Sequence, residues 1–220
     1  MDIKQHRISD IEAVGAFLIV RKSSAESAYA IASTAIDSGL RAVEIAYGTP
    51  DALGVIEKLA NKYPSEDVLI GAGTVIDHHG AAAAVDHGAK LLVSPYSVPE
   101  VMEVAERFQC VSIGGAFTPT EMMKVLAMGG DIVKLFPAES LGPAYVKSIH
   151  APLPQIPISP TGKVNADNIG QWLDAGAVCA GIGGYITNAA SLDEASRATK
   201  RIITAVKEWR AKEEEQNSQQ

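Results

Sequence analysis

The residue pattern predicts a single-domain (β/α)8 TIM barrel of the α/β class, preceded by a short N-terminal helix. Eight short apolar or β-branched runs recur along the chain, with starts 19 to 26 residues apart. Longer Ala-rich segments of helical periodicity lie between them, the alternation expected of parallel strands joined by helical crossovers. Eight such units in 220 residues also meet the ~200-residue minimum of a closed eightfold barrel. The competing architecture, an open doubly wound sheet, more often carries a Gly-rich dinucleotide loop after its first strand, and Val20-Arg21-Lys22-Ser23 is not one.

The predicted strands are Phe17–Val20, Ala42–Tyr47, Val68–Gly73, Leu91–Pro95, Cys110–Gly114, Asp131–Phe136, Ile156–Pro160 and Val178–Gly183. A leading helix, about Ile3–Val14, is placed to plug the barrel floor. Ser23 and Glu26 have capping-box spacing before Ala28–Ile36, and Gly39 stops that helix. Pro50 and Asp51 open the next. Thr118 precedes a first-turn proline, and Gly129-Gly130 ends that helix. Gly142-Pro143 opens another, Asn165 or Asp167 caps the segment through Leu173, and the last helix runs from about Ser191 to Trp209. Met122, Met123, Leu126 and Met128 read as a helix core stripe. No linker is visible, so residues 1–212 are expected to form the barrel and 213–220 a polar, disordered tail.

Composition narrows the function. The chain is 47% hydrophobic and 20% charged, ordinary for a globular domain. A net charge of −7 argues against nucleic acid or an anionic membrane as partner. No apolar run approaches the ~18 residues of a membrane span, and the N-terminus has no secretory pattern. Cys110 and Cys179 sit in apolar runs outside any C-x-x-C motif, which fits a reducing cytoplasm.

In a (β/α)8 barrel the site lies at the C-terminal ends of the strands. Lys134 interrupts the otherwise apolar Asp131–Pro137 run and shares a face with Ile132 and Phe136. A buried ammonium is costly unless paired, and desolvation beside a second cation favours the uncharged, nucleophilic amine. A structural ion pair is the alternative role. Glu44 shares a face with the small Ala42 and Ala46, so it is either a proton shuttle for that amine or its salt-bridge partner. Arg21 ends the first strand and suits a carboxylate. Thr74 and Ser94-Pro95 end the third and fourth strands. Two Gly-rich turns, Pro160-Thr161-Gly162-Lys163 and Gly181-Ile182-Gly183-Gly184, follow strands seven and eight, where barrel enzymes often bind phosphate on backbone N–H groups. Asp77-His78-His79 lies in a first helical turn, where adjacent residues do not share a face, so no metal site is expected. His87 and His150 read as surface or helix-end residues.

Taken in order and spacing, Ala42-Val-Glu-Ile45, Gly71-Ala-Gly-Thr-Val75, Val93-Ser-Pro95, Asp131-Ile-Val-Lys-Leu-Phe-Pro137, Gly142-Pro143, Pro160-Thr-Gly162 and Gly181-Ile-Gly-Gly184 resemble the class I, Schiff-base 2-keto-3-deoxy-6-phosphogluconate aldolases. The nearest branch is the one bifunctional with 4-hydroxy-2-oxoglutarate aldolase. The resemblance implies reversible cleavage of a 2-keto-4-hydroxy acid to pyruvate and an aldehyde, glyceraldehyde 3-phosphate or glyoxylate, with no cofactor and no metal. It assigns the Schiff base to Lys134, proton transfer to Glu44, and the pyruvyl carboxylate to Arg21 and Thr74. It gives the substrate phosphate to Gly162, Gly183 and Gly184. Pro95, Phe136, Thr161 and Lys163 complete the expected substrate-contacting set. A homotrimer is the implied assembly.

The chain departs from that pattern around the expected pocket. Tyr47-Gly48-Thr49 lacks the arginine of the best-known members, which shifts carboxylate binding onto Arg21. Lys163 replaces a glycine, so the loop is expected to differ, because lysine tolerates positive φ poorly. Tyr185 and Gly114 replace a small polar residue and a proline. Two other functions share parts of the site: a phosphate-binding isomerase or synthase without a covalent lysine, and a keto-acid-binding relative without turnover.

Overall fold

The computed structural model describes residues 3–217, and among these lie eight strands and ten α-helices. They run α1 (Ile3–Val14), β1 (Ala16–Val20), α2 (Ala25–Asp37), β2 (Ala42–Ala46), α3 (Ala52–Lys62), β3 (Leu69–Gly73), α4 (His78–Asp86), β4 (Leu91–Val93), α5 (Pro99–Arg107), β5 (Val111–Ala116), α6 (Pro119–Ala127), β6 (Ile132–Leu135), α7 (Pro143–His150), β7 (Ile158–Pro160), α8 (Ile169–Asp174), β8 (Ala180–Ile182), α9 (Gly184–Thr187) and α10 (Leu192–Asn217). All neighbouring strands pair in parallel, in the order β7-β6-β5-β4-β3-β2-β1-β8. The ends of that series meet at a parallel bridge between Thr161 and Gly181 and through the Val178 N–H on the Ile158 carbonyl, 2.9 Å. The chain is a (β/α)8 barrel.

Each strand is buried on both faces, which is why the strands read as apolar runs rather than as alternations. Outward residues such as Leu18, Val43, Ile45, Ile70, Leu92, Val133 and Ile182 pack under the helices. The inward set, Phe17, Ala42, Leu69, Leu91, Val93, Val111, Ile113, Ile132 and Cys179, forms a separate cluster inside the barrel. Ile8 and Ile11 of α1 close that cluster from below, so α1 is the floor plug. It is pinned there by Lys4, whose Nζ lies 2.6 Å from Glu106 and 3.1 Å from Asp131.

Several boundaries differ from expectation for local reasons. Ser24, not Ser23, caps α2 and accepts from the Ser27 N–H. Thr118 and Glu121 form a reciprocal capping box on α6. Asn168 stands at the N-cap of α8, ahead of Asn165 and Asp167, and its Oδ1 accepts the Asn165 N–H at 2.9 Å. Met122 is buried and Leu126 half-buried against the core, whereas Met123 is exposed and Met128 is the half-buried C-cap, so the α6 core stripe is Met122, Val125 and Leu126. Helix α10 continues to Asn217 and takes in residues 213–217, where a disordered tail was expected. Glu, Lys, Ala and Gln are good helix formers, and polarity alone does not end a helix. Residues 218–220 lie outside the described residues. Among the described residues, no helix is long and apolar enough to cross a membrane.

Candidate active site

The period-two alternation that builds the lower core also builds the site. Continuing upward from Leu69, Val111 and Cys179, the inward positions become Gly71 and Gly73, Gly115, and Gly181. These four positions have no side chain, which opens the upper barrel. Into that space project Glu44 from β2 and Lys134 from β6, four strands apart and therefore on opposite walls. Lys134 Nζ stands 3.9 Å from Glu44 Oε1, with the side chains only 9% and 1% exposed. This is an ion pair but too long for a hydrogen bond. A Cβ at Gly73 would fall 2.6 Å from Glu44 Oε1, so glycine is required for the carboxylate to lie where it does.

Burial pushes the Glu44 carboxyl above the usual carboxylate range, against the opposing charges of Lys134 and Arg21. Glu44 Oε2 has no hydrogen-bond partner. Four other buried oxygens share that condition, and two of them follow the inward phase of β7: Thr161 Oγ1, and Ser159 Oγ, whose one polar neighbour is the Cys179 thiol. Ser159 pairs in register with Lys134 across β6 and β7. Buried polar groups are normally satisfied, and an unpaired one costs ~1–3 kcal/mol. Unpaired oxygens on β2 and at the end of β7, the strand beside that of Lys134, mark a place built for a polar occupant.

The remaining expected residues fall around this pair. Phe136 follows Lys134 on the same face, its ring centroid 5.5 Å from Nζ. Arg21 Nη2 donates to Thr74 Oγ1 at 2.9 Å, which joins the ends of β1 and β3 into one subsite. Arg21 runs over Gly48, in the segment that lacks an arginine. Thr74 has φ 59°, uncommon for a β-branched residue and costly enough to mark a constrained position. Pro95 follows β4, its carbonyl lying over Gly115. Thr161 is tied into the β6 loop: its N–H donates to the Leu135 carbonyl at 3.0 Å, and its carbonyl accepts from the Ala138 N–H at 2.9 Å.

From Thr161 onward, a cavity of about 540 Å³ is lined by Ile19, the segment 161–165, the turn 183–185 and Asn188. Gly162, Lys163, Gly183 and Gly184 thus share one pocket. Lys163 takes φ 52°, so the lysine keeps the left-handed conformation that a glycine would favour. The Asn168 side-chain amide holds it by donating to the Lys163 carbonyl at 3.0 Å. Gly162 has φ 125°, and a Cβ there would fall 1.7 Å from Glu139 Oε2. Tyr185 lines the same cavity, but Gly114 faces Val125 and Met102 under the helices, away from the pocket.

Ser159, Glu139 and Asn188 had no distinct sequence signal, although Ser159 shares the inward phase of Thr161. Burial pushes the Cys179 thiol up to about 12, which makes it a packing residue rather than a nucleophile. His87 and His150 each pair a ring nitrogen with a backbone carbonyl, of Ala83 and Ile156, at 2.8 Å. Among the described residues no cluster of three or more His, Cys, Asp or Glu is arranged to hold a metal.

Comparison with known proteins gives this geometry a lineage. A 2-dehydro-3-deoxy-6-phosphogalactonate aldolase from Escherichia coli K12 is 33% identical, over 87% of this chain and 93% of its own. A structure described as native KDPGal superposes with TM-score 0.83 at 31% identity, covering 88% of this chain and 95% of that one. A KDPG aldolase from Legionella pneumophila, solved with pyruvate captured at low pH as a covalent carbinolamine intermediate, superposes with TM-score 0.75 at 27% identity, covering 90% and 95%. The sequence model of KDPG and KHG aldolases matches residues 9–203, the whole barrel from the middle of α1 into α10, and the chain belongs to that aldolase family.

Proposed function

We propose that the protein cleaves a 2-keto-4-hydroxy acid through a Schiff base on Lys134, with Glu44 as the proton shuttle. The observation that carries this reading is a buried lysine facing a buried carboxylate at 3.9 Å, among unpaired oxygens, in an upper barrel emptied by glycines. The uncharged Lys134 amine adds to the C2 carbonyl to give a carbinolamine. Glu44, having taken the proton of the Lys134 ammonium, passes it to the departing hydroxyl, and loss of water gives the iminium. Glu44, directly or through a water, then takes the C4 hydroxyl proton. The C3–C4 bond breaks, the aldehyde leaves, and the electron pair moves into the iminium to form an enamine. Protonation at C3 and hydrolysis release pyruvate and restore the amine. The raised Glu44 pKa makes its carboxylate a stronger base than a surface glutamate. The iminium is the electron sink, so this chemistry calls for no metal or organic cofactor.

Arg21 and Thr74 would hold the keto-acid carboxylate. The cavity beyond Thr161 has the size for the distal part of the substrate, with Lys163 as its cationic side chain. That favours an anionic distal group, as in a 2-keto-3-deoxy-6-phospho sugar acid. Pro95 and Phe136 would flank the reacting carbons. A homotrimer in a reducing cytoplasm accompanies this reading: Ile76, Tyr96 and Phe117 are exposed on the loops after β3, β4 and β5, and both cysteines are free and buried.

The test is intact-protein mass spectrometry after incubation with pyruvate and borohydride, with Lys134→Ala as control. A single reduced pyruvyl adduct on Lys134, absent from the control, is expected. No adduct on folded protein would remove the Schiff base and bring forward a phosphate-binding isomerase or a non-catalytic keto-acid binder. A panel of 2-keto-3-deoxy-6-phosphogluconate, its galactonate epimer and 4-hydroxy-2-oxoglutarate then identifies the substrate. Light scattering reads the assembly.

A further inference from the structure

We infer that Lys22 is a positioning residue for the distal half of the substrate site, holding the Gly183–Asn188 wall of the 540 Å³ cavity in place. The inference rests on the aldolase reading for its functional consequence but not for its structural one.

Lys22 follows Arg21 on the connection from β1 to α2, and the two side chains diverge. Arg21 turns to Thr74 at the end of β3. Lys22 turns the other way, and its Nζ donates to the Thr187 carbonyl at 2.8 Å. Thr187 is the last residue of α9, a helix of four residues. So short a helix does not hold itself together in water. Its internal hydrogen bonds are few: the Ile186 and Thr187 N–H groups share the Gly183 carbonyl, and the Asn188 N–H reaches the Gly184 carbonyl. Its placement therefore depends on outside anchors. One is Ile186, which is fully buried. Another is the Lys22 ammonium at the carbonyl end, a charge-assisted hydrogen bond at the helix terminus that favours a cation.

Lys22 is itself fixed from behind. Its N–H donates to Thr49 Oγ1 at 3.3 Å, and Thr49 is buried, with its own N–H on the Ala46 carbonyl at 2.8 Å. The anchor thus runs from the end of β2 through Thr49 and Lys22 to Thr187, and so to the turn bearing Gly183, Gly184, Tyr185 and Asn188. An ammonium committed to a backbone carbonyl acts on the wall rather than on the substrate. Arg21 and Lys22, adjacent in sequence, serve opposite ends of the site.

Two readouts test this on the full chain with Lys22→Met and Lys22→Arg. Hydrogen–deuterium exchange needs no assumption about activity. The amides of 183–188 are expected to exchange ~10-fold faster in Lys22→Met, the loss of one charged hydrogen bond, with β-strand amides unchanged. Unchanged exchange at 183–188 would overturn the inference whatever the enzyme does. In steady-state kinetics, Lys22→Met is expected to raise KM for the 6-phospho sugar acid ~10-fold at near-constant kcat, while cleavage of the shorter 4-hydroxy-2-oxoglutarate stays as in wild type. Lys22→Arg, which keeps a cationic donor, recovers most of the difference. Equal losses on both substrates, or a fall in kcat alone, would also overturn it. Borohydride trapping of pyruvate by the wild type reports on Lys134 only, so failure of the Schiff-base reading stays separate from failure of this one.

Discussion

Lys4 and Lys134 are both buried and both face carboxylates, at opposite ends of the same barrel. Lys4 sits under the floor, 2.6 Å from Glu106 and 3.1 Å from Asp131. Asp131 in turn accepts from the Ser112 N–H and hydroxyl, each at 2.8 Å. Burial pulls the Lys4 pKa down, but the hydrogen bond to Glu106 and the charge of Asp131 together outweigh it and hold the ammonium above its ordinary value. Lys134 has one carboxylate at 3.9 Å and neighbours whose oxygens are unpaired. The lower lysine is saturated with partners and the upper one is not. Unsatisfied groups persist where the surrounding structure enforces them, and here Glu44 Oε2 faces the opened upper barrel.

The sharpest way to break the comparison is to remove each charge in turn. Lys134→Met is expected to lower cleavage at least ~10⁴-fold, since it deletes the proposed nucleophile, while the protein stays folded. Lys4→Met should leave kcat within about twofold and cost ~3 kcal/mol in chemical denaturation. That is the low end for a broken buried pair, because Glu106 is largely exposed and screened. If the floor variant lost activity as steeply, the division between a structural and a chemical lysine would fall.

Glu44→Gln comes next, with an expected drop in kcat of ~10²–10⁴-fold. Its stability effect has a definite sign. The folded-state pKa of Glu44 lies above its ordinary 4.5, so between those values the native state binds more protons than the unfolded chain. Stability therefore falls as pH rises through that window, and the ionised carboxylate is a net cost above it. The glutamine variant is expected to melt higher than wild type at pH 7, with the gap closing as pH falls towards 4.5. A variant that melts lower at pH 7 would mean that the attraction of Lys134 outweighs burial.

A smaller effect comes from Gly73→Ala. The added Cβ would lie 2.6 Å from Glu44 Oε1, and the side chain must move. A displacement near 1 Å at a catalytic group costs ~10–100-fold in kcat, with KM little changed. Leu69→Ala, four residues below on the same face, should do the reverse, removing ~2–5 kcal/mol of stability by leaving a cavity in the packed half. Activity assays and denaturant melts on the two variants separate the halves of one strand.

The fold and the buried Lys134–Glu44 pair were legible because both rest on local pattern. Eight apolar runs at near-constant spacing give the barrel, and a charge in a strand buried on both faces stands out without structural knowledge. Residues that depend on register were not legible. Ser159 looks like any strand serine until β6–β7 pairing sets it beside Lys134. The helix α9 is too short to leave a periodic trace, and the Lys22 contact that holds it spans 165 positions. Gly114 reads as a pocket change by proximity in sequence, yet its strand phase turns it towards the helices. Lys163 was expected to alter its loop, and the loop instead imposed a left-handed φ on the lysine, with Asn168 gripping its carbonyl.

Lys163 therefore offers the finest test. A non-glycine residue at φ 52° stores about 1 kcal/mol of strain, which glycine would release, offset by ~0.5–1 kcal/mol of extra chain entropy on unfolding. Lys163→Gly is thus expected to shift stability by less than ~1 kcal/mol. Its ammonium is exposed at the cavity rim, where a single ion contact contributes only ~0.2–1 kcal/mol and is screened by salt. KM for a phosphorylated substrate should rise ~2–5-fold at low salt, with the difference shrinking as salt increases, while 4-hydroxy-2-oxoglutarate is unaffected. Lys163→Asn, which tolerates a left-handed backbone, separates loss of charge from release of strain. If neither variant changes KM or its salt dependence, the lysine is a solvated residue on a left-handed turn, and distal binding rests on the backbone groups of Gly162, Gly183 and Gly184.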